Sequence, residues 1–269
     1  MSDTLILNLS GLIALLPLSL FFKGKPKAPR SLFWLLLLAA IAGSGILLVI
    51  GSRDGWHTDL STSIWITIFA SLNVYLLVSL TVRESWRLGV LFAPYMFLLG
   101  LFALVWAAIG TEDPTLQTKP ISGWIALHIF VSVTTYALVT IAAVAALAAG
   151  IQERALKARL QSSWGNELPS LADCDQMVMK TLIIGEAVLA LGMLTGMALY
   201  YTETNTLIAF NHKSILALSA FVVIGGLLIA HFKSGLRGRK AARIVLLIYL
   251  LLTLSYPGVK IVTDVILTG

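Results

Sequence analysis

The chain has 269 residues, of which 58% are hydrophobic and only 12% charged. A water-soluble domain carries about 25% charged residues, so this composition excludes an ordinary soluble enzyme and indicates an integral membrane protein. The net charge of +6 sits in short loops between apolar runs, which suits lipid headgroups and argues against a nucleic-acid surface.

A helix needs about 20 apolar residues to cross a bilayer. Eight stretches qualify: 4–22, 31–51, 61–81, 88–109, 122–150, 180–200, 214–232 and 243–266. The first carries Asp3 and no basic residue before its apolar run, and no small-residue cleavage site follows it. It reads as a retained span rather than a signal peptide. The fifth is long and is expected to continue as a helix beyond the bilayer through QERALKARL. The linker that follows, 151–179, is broken by Gly165 and Pro169 and then carries SLAD, with Ser170 and Asp173 in capping-box spacing. Leu171, Met177 and Val178 suggest a short interfacial helix there. On the sixth span Gly192 and Gly196 form a GxxxG, a pattern that lets two membrane helices approach closely. The seventh and eighth spans are joined by the basic loop GLRGRKAAR (235–243).

With the loop after the first span placed in the cytoplasm, fifteen of the nineteen Lys and Arg residues fall on cytoplasmic faces. Only Arg53, Lys119, Lys213 and Lys260 fall outside. This follows the positive-inside rule and puts both termini outside. The expected architecture is therefore all-α and polytopic: one membrane domain of about eight spans, N-out and C-out, with short loops. Within it, 1–120 forms a four-helix half and 121–269 a second half containing the 151–179 linker. Cys174 is the sole cysteine, so neither an intrachain disulfide nor a CxxCH haem-attachment motif is possible.

Ionisable groups inside a membrane are costly and mark candidate functional sites. His128 lies one to two turns into the fifth span. Trp124, His128, Ser132, Thr135 and Tyr136 recur at helical spacing on one face. In the expected topology His57 and His212 lie on the same outer side as His128, and His231 lies at the cytoplasmic end of the seventh span. His57 reads as a solvated loop residue and His231 as an interfacial anchor. A second polar stripe, Tyr249, Thr253, Tyr256, Lys260 and Asp264, descends the last span. Glu186 stands in the sixth span, with Asn73 of the third as one possible partner. Histidines supply axial nitrogens to haem iron, aromatics pack the macrocycle, and Lys213 or Lys260 could meet a propionate. A quinone or a lipid headgroup would suit the same pattern, so the residues alone point to an amphipathic ligand in the outer leaflet.

LHIFVSVTTYALVTIAAVAALAAGIQERALK (127–157) resembles the cytochrome c assembly family, and within it the CcsA- and HemX-like proteins and the YpjD branch. The shared features are His128, Ser132 four residues on, and the Tyr136–Ala137 pair. NHKSILALSAFVVIGGLLIAHFKSGLRGRKAARIVLLIYLLLTLSYPGVKIV (211–262) and LPSLADCDQMVMKTLIIGEAVLALGMLTG (168–196) are similar to later blocks of the same branch, while the first four spans match only in length and hydropathy. The resemblance implies a haem-handling protein of the bacterial cytoplasmic membrane, connected with cytochrome c maturation and its partner proteins. Of the external histidine ligands in larger members, His128 carries over by position. His212 lies near the place of a tryptophan-rich loop whose motif is absent here, and no counterpart of the last external histidine follows the eighth span.

The expected function is to bind or pass on haem b rather than to act as an enzyme alone. His128 and His212 are the candidate axial ligands, with Trp124, Ser132, Tyr136, Lys213 and Lys260 lining the site and His57, His231 and Glu186 as secondary candidates. The rivals are a transporter using Glu186, Asn73, Lys260 and Asp264 as relay groups, and a partner subunit that holds no haem.

Overall fold

A computed structural model describes residues 3–21, 29–52, 59–82, 84–109, 123–157, 167–205 and 212–255. Every regular element among them is helical, as the composition requires: inside lipid, a helix satisfies its own backbone polar groups. Six helical segments are long and apolar enough to span a membrane, and the helix over Thr4–Leu20 is apolar but shorter. The chain is thus a multi-pass membrane protein. It divides into two compact units, which part at Ile121/Ser122 apart from a short segment of the linker.

The first unit holds α1 (Asp3–Leu20), α2 (Arg30–Gly51), α3 (Leu60–Thr81), a 3-10 turn (Ser85–Leu88) and α4 (Gly89–Ile109). Helix α1 packs against α2 and α4, and α3 against both of these. Asp59 caps α3 by accepting the Thr62 N–H at 3.0 Å. The approach of α1 to α2 and α3 depends on Gly11, where a Cβ would lie 2.6 Å from Leu47 and 2.7 Å from Trp65. A polar clasp crosses the same contact. Asn8 Oδ1 accepts from Ser61 Oγ at 2.9 Å and from the Trp65 indole N–H, while Nδ2 donates to Thr4 O. Interhelical hydrogen bonds in membranes average about 0.6 kcal/mol, but Asn8→Ala would strand two buried donors, and leaving a buried donor unmet costs about 1–3 kcal/mol. The variant is expected to lose stability in that larger range, read as the midpoint of unfolding in detergent.

The second unit holds α5 (Gly123–Lys157), α6 (Leu171–Thr204), α7 (His212–Ser234) and α8 (Arg239–Thr253). Helix α5 is its core. From Thr135 to Ala146 every residue is buried, and the alanine-rich surface there allows close approach. Its most extensive partner is α6, followed by α8; α7 packs against α6 and α8. Neighbouring helices are antiparallel. Along α5 and α6, His128 meets Gly196, Val131 meets Gly192, and Leu138 meets Gly185. One end of the unit therefore gathers the start of α5, the end of α6, the start of α7 and the end of α8.

Helix α6 departs from the expected span. Ser170 caps it, accepting the Asp173 N–H at 3.2 Å, but the capped helix runs unbroken from Leu171 to Thr204. Met177 and Val178 are buried in packing. The expected interfacial helix is thus the first turns of the sixth span, because no helix breaker stands between Asp173 and Lys180. The basic loop is a tight turn. Gly235 and Gly238 adopt φ of 65° and 67°, a region glycine enters without steric cost. Gly235 N–H closes α7 onto His231 O at 3.0 Å, the left-handed termination of a helix.

Candidate functional site

His128 sits just over one turn inside α5, half-buried against α6. Its Nδ1 lies 3.1 Å from Thr195 Oγ1. That hydroxyl is also 3.0 Å from Gly192 O; when it donates there it accepts from His128, and a neutral ring with its proton on Nδ1 presents a lone pair on Nε2, the tautomer of a metal ligand whose other nitrogen is held by an outer-shell hydrogen bond. The Cε1 edge of the ring packs on Gly196, where a Cβ would stand 3.0 Å from Cε1 and 3.7 Å from Nε2. The GxxxG of α6 is therefore the seat of His128. Residue spacing groups His128 with His212, Lys213 and Lys260; the structure adds Gly192, Thr195 and Gly196 of α6, which that spacing does not indicate. The GxxxG was the available signal, but it could not show which helix it received.

Two turns deeper, the polar stripe turns to another neighbour. Tyr136, only 8% exposed, has its hydroxyl 3.0 Å from that of Tyr249 and 3.2 Å from Thr253 Oγ1 on α8. Thr253 also donates to Tyr249 O within α8 at 2.8 Å, so the three hydroxyls form one cluster between α5 and α8. The two tyrosine rings pack with centroids 5.8 Å apart. Tyr136→Phe keeps that ring contact and removes only hydroxyl bonds. Its expected cost is about 1 kcal/mol or less, checked by detergent unfolding.

The remaining candidates separate clearly. Trp124 is 61% exposed on the face of α5 that also bears exposed Leu127 and Phe130, while Ser132 is half-buried. His212 and Lys213 are exposed at the start of α7. The Lys213 carbonyl accepts from Ser255 Oγ at 3.1 Å, tying the start of α7 to the end of α8, close along α8 to Thr253. His128 and His212 thus share one end of the unit, although α5 and α7 are not principal packing partners. His231 lies at the opposite end, its Nδ1 3.1 Å from Leu236 O in the α7–α8 turn. That end also holds Glu153 paired with Lys157, together with Arg237, Arg239, Lys240 and Arg243. Glu186 is half-buried against Gly225 of α7. Asn73 donates to Phe69 O within its own helix. His57, Tyr256, Lys260 and Asp264 lie outside the described residues. Among the described residues no three His, Cys, Asp or Glu side chains cluster to bind a bare metal ion.

The family model described as cytochrome C assembly protein matches residues 35–267. This chain belongs to the cytochrome c assembly protein family. The match takes in the second, third and fourth helices as well as the second-half blocks that carry recognisable motifs. A protein of Azospirillum brasilense, described as an uncharacterized 28.8 kDa protein in a nifR3-like 5′ region, is 45% identical over 272 residues, covering 99% of this chain and 100% of its own length. The inner membrane protein YpjD of Escherichia coli K12 is 29% identical over 201 residues, covering 72% of this chain and 75% of YpjD. No solved structure matches the chain significantly.

Proposed function

We propose that this family member binds haem b at the His128 end of its second unit and holds it for, or passes it to, cytochrome c maturation. The supporting observation is the Thr195–His128 hydrogen bond, which engages Nδ1; with the proton on that nitrogen, Nε2 is the axial donor. His212 is the proposed second ligand. Trp124, Ser132 and Tyr136 would line the macrocycle, and Lys213 and Lys260 would meet the propionates. When bound, haem supplies a redox-active iron. The chain's own contribution is to orient an imidazole, keep its tautomer, and offer the exposed apolar surface around Trp124 and Phe130 for entry from the bilayer.

The proposed topology has eight spans in the bacterial cytoplasmic membrane with both termini outside. Charge supports it: Arg154, Lys157, Lys233, Arg237, Arg239, Lys240 and Arg243 lie at the end of the second unit opposite His128, and basic residues favour the cytoplasmic side. The His128 end then faces the outer leaflet. The direct test is an absorption spectrum and pigment extraction on protein purified with and without haem loading. The expected result is a Soret band with extractable haem b; an unchanged protein spectrum after loading rejects the reading.

A further inference from the structure

Glu186 stands near the middle of the apolar segment Leu171–Thr202, away from the proposed haem end. From Gly196, where His128 is seated, to Glu186 α6 rises about 15 Å. Helix α6 packs against α5 and α7. On α7, Glu186 Oε1 lies 3.2 Å from the position of a Cβ on Gly225, so the carboxyl sits close against the bare backbone of that glycine and a Cβ there would push it by a few tenths of an ångström. A glycine costs a helix interior about 0.5–1 kcal/mol relative to alanine, and α7 carries two in succession, Gly225 and Gly226. Oε2 is enclosed and has no hydrogen-bond partner among the described residues. Neither of the ion pairs there includes Glu186.

The faces of α5 and α7 packed against α6 carry no countercharge at this depth. On α5, Leu138 and Val139 face the adjoining Gly185, and no charged residue occurs between His128 and Glu153. On α7, none occurs between Lys213 and His231. An unpaired charge at membrane depth is costly, and taking up a proton removes that cost. We propose that Glu186, seated in the Gly225 notch of α7, is a proton-binding site at membrane depth. The site operates independently of haem.

Dicyclohexylcarbodiimide tests this on the purified full chain in lipid nanodiscs. The reagent partitions into lipid and modifies protonated carboxyls: the acid proton passes to a reagent nitrogen as the carboxylate oxygen bonds to its central carbon. At neutral pH, peptide mass mapping of the wild type is expected to find the adduct on Glu186. The yield should fall as pH rises and deprotonates the group. Gly225→Leu, whose side chain goes well beyond the few tenths of an ångström that a bare Cβ would demand, displaces Oε1 and should lower the yield at neutral pH. Infrared difference spectra between the wild type and Glu186→Gln should show the carbonyl stretch of a protonated carboxyl. An unmodified Glu186 in the wild type, a yield unaffected by Gly225→Leu, or a carboxylate band in place of the carbonyl stretch overturns the proposal. The wild-type mapping stands even if the variants fail to fold.

Discussion

His128→Ala is expected to abolish the Soret band of the haem-loaded protein while leaving the helical content and elution profile unchanged. The ring is half-buried rather than part of the densely packed core, so its removal opens only a shallow gap beside Gly196. The surrounding contacts between Val131 and Gly192 and between Leu138 and Gly185 remain in place. What disappears is the proposed axial nitrogen. His212→Ala tests the second ligand: its exposed ring contributes little to folding, so a shift of the Soret band and weaker haem retention would report coordination. A Soret band unchanged in both single variants sinks the ligand assignment. Circular dichroism on the same samples separates loss of ligand from loss of structure.

Thr195→Val is expected to weaken haem retention by about 10–100-fold, the usual effect of removing an outer-shell partner of a ligating histidine. Valine nearly matches threonine in shape, so the seat is kept while the oxygen that accepts from Nδ1 is lost. The imidazole can then move its proton to Nε2 and lose the donor lone pair. Thr195→Ser keeps the acceptor and should retain most of the binding. Gly196→Val disturbs the same ring sterically. A Cβ alone would stand 3.0 Å from Cε1, and valine adds two methyl groups, so the ring must leave α6. Haem titration of the four proteins checks the expected order: wild type, then Thr195→Ser, then Thr195→Val, with Gly196→Val weakest. Equal affinity in all four would remove Thr195 and Gly196 from the site.

The helices themselves were legible before any packing was known. The stretches 31–51, 61–81 and 88–109 recur almost unchanged as Arg30–Gly51, Leu60–Thr81 and Gly89–Ile109. Hydropathy and turn residues act locally, and lipid leaves a spanning chain little choice but helix. The Ser170–Asp173 cap was equally local and equally readable. Its consequence was not: whether the capped turn lies on the membrane or continues into the span depends on what buries Met177 and Val178.

The candidate site was legible only as residues. His128, Ser132 and Tyr136 could be placed on one face of one helix from their spacing alone. Spacing does not say what stands opposite that face. The structure divides it, giving His128 to Thr195 and Gly196 of α6 and Tyr136 to Tyr249 and Thr253 of α8. Composition and periodicity by themselves determined a multi-pass helical membrane protein with a histidine inside one span. The partner helix, the hydrogen-bond partner of that histidine and the notch at Gly225 were decided only by tertiary structure, because each depends on atoms far apart in the chain. The Thr195–His128 bond spans 67 residues, and no local pattern encodes a hydrogen bond across that separation.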